Sequence, residues 1–160
     1  MNSKFLPSNY NGEPITLVAG QGEYPLILTK KIKSLGIQLK LISIIGETEN
    51  HLLNLFEAEN VERIQLGKLS QLLKAIETHN AKYIILAGQV NPRKLFNGLN
   101  PDFKTIKLLL GAHNAETIFG GIIREIEGIG YNVIDSRSFL DEHLATKGLM
   151  SLTNSKPEWE

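Results

Sequence analysis

Residues 15–25 read ITLVAGQGEYP, and the order of chemistry within them decides the fold. Ile15 to Ala19 is a short apolar run cut off at Gly20, the pattern of a buried strand feeding a tight turn. From Glu23 the spacing becomes helical. Tyr24, Ile27, Leu28, Ile32 and Leu35 fall on one stripe, and Gly36 follows as a stop. Strand, glycine turn and helix therefore come in succession.

The same alternation continues along the chain. Gln38 to Ile45 is rich in Leu and Ile and ends at Gly46, which predicts a second strand buried on both faces, with a short helix over 49–57. Val61 to Leu66 reads as a third strand. Leu69, Leu72, Leu73 and Ile76 then repeat at helical spacing, and Lys82 to Ala87 supplies a fourth strand. After Gly88 comes a polar, proline-punctuated loop, QVNPRKLFNGLNPD, with Pro92 and Pro101 opposing strand continuation. Pro101 and Asp102 suit a helix start. Ile118, Phe119, Ile122, Ile123, Ile126 and Ile129 mark a late helix that stops at Gly130, and Tyr131 to Ile134 completes a fifth strand. Strands alternating with helices of this length pair in parallel through right-handed crossovers. The expected fold is α/β, a Rossmann-like three-layer sandwich with a mostly parallel sheet of about five strands.

At 160 residues the chain can build one full core. Residues 1–14 are expected as an amino-terminal tail and 15–145 as the domain. Residues 146–160, which lack a periodic apolar face, are expected as a linker toward a carboxyl-terminal domain outside the chain. Seventeen basic side chains balance seventeen acidic ones, so no whole-molecule field gathers nucleic acid, and phosphate recognition has to be local. The absence of cysteine excludes a disulfide framework, a thiolate zinc site and a cysteine nucleophile. Neither a signal-like apolar run nor a stretch near the roughly 20 apolar residues of a membrane span is visible, so a soluble, unexported protein is expected.

In an open parallel sheet, ligands bind beyond the carboxyl ends of the strands, where helix amino termini offer free amides. Two loops suit that place. Gly20-Gln21-Gly22-Glu23-Tyr24-Pro25 could hold a diphosphate or a ribose, the lesser alternative being that its glycines merely permit a tight turn. Gly88-Gln89-Val90 continues through Asn91 and Pro92 to Arg93 and Lys94, cations that could meet a phosphate, or could be solvated charges of an exposed turn. A third segment, His113-Asn114-Ala115-Glu116, precedes the late helix, where Asn114 reads first as a cap and Glu116 as a first-turn acid. Pro25 stands where a dinucleotide fingerprint has its third glycine, and no acid ends the second strand, so NAD binding is disfavoured. His51, His79, His113 and His143 lack metal-site spacing and read as surface or capping residues. Glu125 and Glu127, two apart on one helix, point to different faces and cannot form an acid/base pair. No nucleophile elbow or Walker lysine is present.

The ordered strings LVAGQGEYP, LGKLSQLLKAI, ILAGQVNP, LNPDFKTIKLL and EGIGYNVID resemble the amino-terminal domain of UDP-2,3-diacylglucosamine pyrophosphatases of the LpxI type, over nearly the whole chain. The resemblance implies a lipid A pathway hydrolase that cleaves the substrate's pyrophosphate to UMP and 2,3-diacylglucosamine 1-phosphate. It implies assistance by Mg2+ or a similar divalent cation, with ligands in the carboxyl-terminal domain. It also implies a cytoplasmic protein that touches the inner membrane peripherally. In that family the substrate lies between two domains and the second carries the main catalytic acids, so this chain is expected to bind substrate without turning it over alone. No catalytic residue is assigned here. Substrate contact carries over to Gly20, Gln21, Gly22, Tyr24, Pro25, Gly88, Gln89 and Val90. Where the family has a Gly-Asp-Asp string this sequence has Asn114, Ala115 and Glu116, which retain one acid of the two. Asn114, Glu116 and Thr153 complete the expected contacts. A stand-alone nucleotide-sugar-binding module is the alternative reading, and a nicotinamide oxidoreductase a weaker one. The partner could be a separate carboxyl-terminal domain or a second copy of the chain.

Overall fold

The computed structural model describes residues 5–91 and 100–140. Five strands, β1 (Ile15–Ala19), β2 (Leu39–Ile44), β3 (Val61–Ile64), β4 (Tyr83–Ala87) and β5 (Asn132–Val133), form one sheet in the order β3-β2-β1-β4-β5. Every pairing is parallel, with Ile15 level with Leu39 on one side and with Tyr83 on the other. The described helices are α1 (Glu23–Ser34), α2 (Asn50–Leu53), α3 (Leu69–His79), α4 (Phe103–Leu110) and α5 (Ala115–Gly128), with single 3-10 turns at Ala58–Asn60 and Ser136–Phe139.

Side chains alternate across the strands between two cores. Ile15, Leu17, Leu39, Leu41, Tyr83 and Ile85 face one way and meet Leu28 and Ile32 of α1, with Leu52 of α2. Val18, Ile42, Ile44 and Ile84 face the other way, onto Leu72, Leu73 and Ile76 of α3 and Ile126 of α5. Burial on both faces is why β1 carries no exposed position and reads as an unbroken apolar run. The edge strands β3 and β5 carry Glu62, Arg63 and Asn132, polar residues that oppose further strand addition. The expected α/β Rossmann-like sandwich is therefore the observed one, with a wholly parallel sheet.

The tail is less detached than its composition suggests. Leu6 and Tyr10 pack on the first core, Tyr10 meets the Tyr83 ring edge-on at 5.1 Å, and Ser138 donates a hydrogen bond to the Phe5 carbonyl at 3.2 Å. The expected histidine roles also need correction. His79 is buried, its Nδ1 3.2 Å from the Thr16 hydroxyl, because α3 runs its last turn over the foot of β1 and β2. Burial first, and the Lys40 charge second, depress the imidazole to about 4. Lys40 donates to the His79 carbonyl at 2.9 Å, placing a cation at the negative end of α3. His51 lies at the surface as expected, 3.7 Å from the Glu23 carboxylate. His143 and the expected linker lie outside the described residues.

Candidate functional site

β1 and β4 are neighbours in space although a crossover separates them in sequence, so the direction of winding reverses between them. That reversal opens a crevice at the carboxyl ends of the two strands. Both glycine loops leave from it. The Gly20 N–H donates to the Ala87 carbonyl at 2.9 Å. The chains then fold over one another, the Gln21 N–H donating to the Gln89 carbonyl at 2.7 Å and the Gln89 N–H to the Gln21 carbonyl at 3.0 Å. The glycines permit this stitching. A Cβ on Gly20 would collide with the Gln89 carbonyl, and one on Gly88 would lie 2.7 Å from the Gln21 carbonyl oxygen and 2.9 Å from Pro25 Cγ.

Gly22 has a different reason. Its φ of 98° and ψ of 172° lie in a region that is nearly glycine-only, and the space beside its Cα is open. It caps α1 without a side-chain acceptor. Among the described residues the amides of Gly22, Glu23 and Tyr24 have no hydrogen-bond partner, which leaves a partial positive charge facing the crevice. Gln21 and Gln89, by contrast, have their backbone amides engaged with each other, so the unengaged amides of the first loop begin at Gly22. Pro25 is buried beneath Gly88. The Tyr24 hydroxyl donates to the Ser136 carbonyl at 3.0 Å and ties α1 to the last 3-10 turn.

A residue that sequence reasoning passed over joins the two loops. No acid stands at the strand's end, Ile44 and Ile45, but Glu47 lies just beyond and is 3 % exposed. A tight turn brings it back. The amides of Glu47 and Thr48 donate to the Ile44 carbonyl at 3.0 and 2.9 Å, and the Thr48 hydroxyl bonds both the Ile44 amide and the Ala19 carbonyl. The Glu47 carboxylate oxygen Oε2 then accepts from the Gln21 side-chain Nε2 at 2.9 Å and from the Asn91 amide at 3.0 Å. One buried acid thus clamps both glycine loops. The signal in the sequence was a lone acid following a glycine after a buried strand, which loops commonly carry without function.

Beside the crevice lies a cavity of about 750 Å³, within the range of small-molecule pockets. Its lining is apolar for the most part, from Val18, Ile44, Ile64, Leu72, Leu86 and Ile122 of the second core, with Gln65, Lys68, Thr105, His113 and Asn114 as polar members. Gly20, Gly88, Val90 and Asn114 of the expected contacts line it. Gln21, Gly22, Tyr24, Pro25 and Gln89 belong to the loops next to it, and Glu116 is an exposed first-turn residue of α5. Asn114 is a cap, as its sequence context indicates. Its side chain accepts from the Thr117 amide at 2.8 Å, and the Thr117 hydroxyl receives the Asn114 amide at 3.1 Å. Arg93, Lys94 and Thr153 lie outside the described residues.

The far wall of the cavity is fixed by Asp102. Its carboxylate accepts from the Thr105 amide at 2.8 Å and from the Ser70 amide at 2.7 Å, so one side chain caps α4 and the first turn of α3 together. Partial burial pushes this carboxyl up, but the hydrogen bonds from Thr105 and Ser70 jointly outweigh it and hold the group at about 2. Among the described residues no three His, Asp or Glu side chains converge.

Residues 14–143 match the LpxI N-terminal domain. The chain belongs to that family. For this LpxI N-terminal domain no curated protein matches. Among solved structures it is similar to the Bordetella bronchiseptica enzyme WbmG in complex with NAD, at 11% identity and a TM-score of 0.46, covering 81% of this chain and 39% of that one. It is also similar to the epimerase Mth375 from the methanogen Methanothermobacter thermautotrophicus, at 19% identity and a TM-score of 0.44, covering 76% of this chain and 34% of that one. The chain spans well under half the length of either structure. Within the described residues no helix is long and apolar enough to cross a membrane.

Proposed function

We propose that this LpxI N-terminal domain is the substrate-binding half of a UDP-2,3-diacylglucosamine pyrophosphatase. The observation that carries the reading is the meeting of two unlike surfaces at the β1/β4 switch point. A polar crevice bounded by Gln21, Gly22 and Gln89 opens beside an apolar cavity of about 750 Å³. A ligand with a nucleotide at one end and acyl chains at the other matches both. The crevice supplies the amides of Gly22, Glu23 and Tyr24 to an anion, and the cavity takes hydrocarbon out of water, at about 0.8 kcal/mol per buried methylene.

Binding and orientation are the tasks of this half. The matching family is defined as the amino-terminal domain, and cleavage of the pyrophosphate is assigned to acids of the family's carboxyl-terminal domain acting on the same ligand. A divalent cation would offset phosphoryl charge during that cleavage. On this reading its ligands come from the carboxyl-terminal domain, and no step on this half runs through it. In the cell the reading places the domain in the cytoplasm, against the inner membrane only through its lipid substrate.

Isothermal titration of the chain with UMP, UDP-N-acetylglucosamine, UDP-2,3-diacylglucosamine and NAD, with and without Mg2+, tests this. The expected order is the diacylated ligand tightest, the other uridine ligands measurable and NAD silent. A hydrolysis assay on the diacylated ligand should show turnover only after a carboxyl-terminal domain of the family is added. Silence toward every uridine ligand overturns the proposal. Binding of UDP-N-acetylglucosamine as tight as that of the diacylated ligand would favour a nucleotide-sugar-binding module instead.

A further inference from the structure

We infer that Glu47 is a positioning residue that makes the Gln21 end of the crevice a site for the nucleoside part of the ligand and not for its diphosphate. The inference rests on the uridine-nucleotide reading above and deepens it. A carboxylate only accepts hydrogen bonds, so the 2.9 Å contact between Glu47 and Gln21 forces the amide nitrogen of Gln21 inward. The amide carbonyl Oε1 is then the atom that Gln21 offers to a ligand, since its side-chain bond among the described residues is made by Nε2. The Gln21 and Gln89 backbone amides, which could otherwise have served an anion, are engaged with each other. What remains at this end is an acceptor oxygen backed by a buried carboxylate.

A diphosphate is anionic and acceptor-only. It gains no hydrogen bond from Oε1, since two acceptors facing each other share no proton. A ribose hydroxyl or the imide N–H of a pyrimidine is a neutral donor and gains the bond. The phosphates are left to the unpartnered amides at the start of α1. Glu47 does this without touching the ligand. It sets the orientation of one amide and, through its 3.0 Å bond to the Asn91 amide, the distance between the two loops.

The experiment is titration of wild type, Glu47→Gln and Gln21→Met with uridine, UMP and inorganic pyrophosphate, with thermal unfolding recorded in parallel. In Glu47→Gln the Gln21 amide is free to turn and the charge is gone. Uridine and UMP should bind about tenfold more weakly, as expected for one lost hydrogen bond, and pyrophosphate should bind no worse than to wild type. Gln21→Met keeps the bond from the Asn91 amide to Glu47 and should show the same split, which decides the matter if Glu47→Gln does not fold. Equal loss for all three probes would make Glu47 merely structural and overturn the inference, as would no loss for uridine. If wild type binds neither uridine nor UMP, the parent reading falls and this one with it.

Discussion

Gly88 and Gly22 look alike in the sequence, yet they answer to different constraints. At Gly88 a methyl group meets the Gln21 carbonyl at 2.7 Å and Pro25 Cγ at 2.9 Å, with φ at +88°. Gly88→Ala should therefore cost about 3 kcal/mol, steric and torsional costs adding, and should part the two loops. At Gly22 the space is open, so Gly22→Ala should cost only the torsional part, about 1–2 kcal/mol. Gly22→Val should weaken ligand binding more than it weakens folding. Urea unfolding of the three variants beside UMP titration checks this order, and equal destabilisation by both alanines would contradict it. His79 carries a pH effect of its own. Its folded value of about 4 lies below the ordinary 6.5, so the unfolded chain binds the proton more readily. The His79 contribution to stability is whole above about pH 6.5 and declines as pH falls toward 4. Urea midpoints between pH 7 and 4 should fall less steeply in His79→Leu than in wild type.

Among elements, the joint of α3 and α4 depends most on one side chain. Asp102 takes the place of two separate caps, accepting from the Ser70 and Thr105 amides. Asp102→Ala leaves amides of both helices without an acceptor and should cost about 2–3 kcal/mol, roughly twice an ordinary cap. Because the folded value is about 2 against an ordinary 3.8, this contribution is present above about pH 3.8 and is lost as pH falls toward 2. The Asp102→Ala deficit measured by urea unfolding should therefore shrink in acid. The cap of α4 could be read from the Pro101-Asp102 pair, since an N-cap is a local pattern. Its reach to α3, across more than thirty positions, could not. The Asn114 cap of α5 was likewise local and likewise readable, whereas the return bond of the Asn114 amide to the Thr117 hydroxyl came with the structure.

For the molecule as a whole, the strand order β3-β2-β1-β4-β5 creates the crevice and seats the apolar cavity beside it. If acyl chains occupy that cavity, filling it should separate the two ends of the ligand. Ile118 lines the cavity from α5. Ile118→Trp should weaken UDP-2,3-diacylglucosamine by tenfold or more, on the order of two methylenes no longer buried, and leave UMP unchanged. Equal weakening of both ligands would remove the cavity from the site.

The alternation of strands and helices, their parallel pairing, the Asp102 and Asn114 caps and the two glycine loops are legible along the chain. Those follow from spacing over fewer than about 20 residues, where hydrophobic period and turn chemistry act. Assembly of the sheet is what lets Gln21 and Gln89 bond each other, turns Glu47 inward to hold both loops, buries His79 against Thr16 and allows Asp102 to cap two helices. Each of these joins residues that are distant along the chain and adjacent only once the sheet has its order. The pairing of β1 with β4 brings the two loops together, and the turn after β2 carries Glu47 to them. A carboxylate is exposed or buried according to which segments close over it, and that is a property of the assembled sheet.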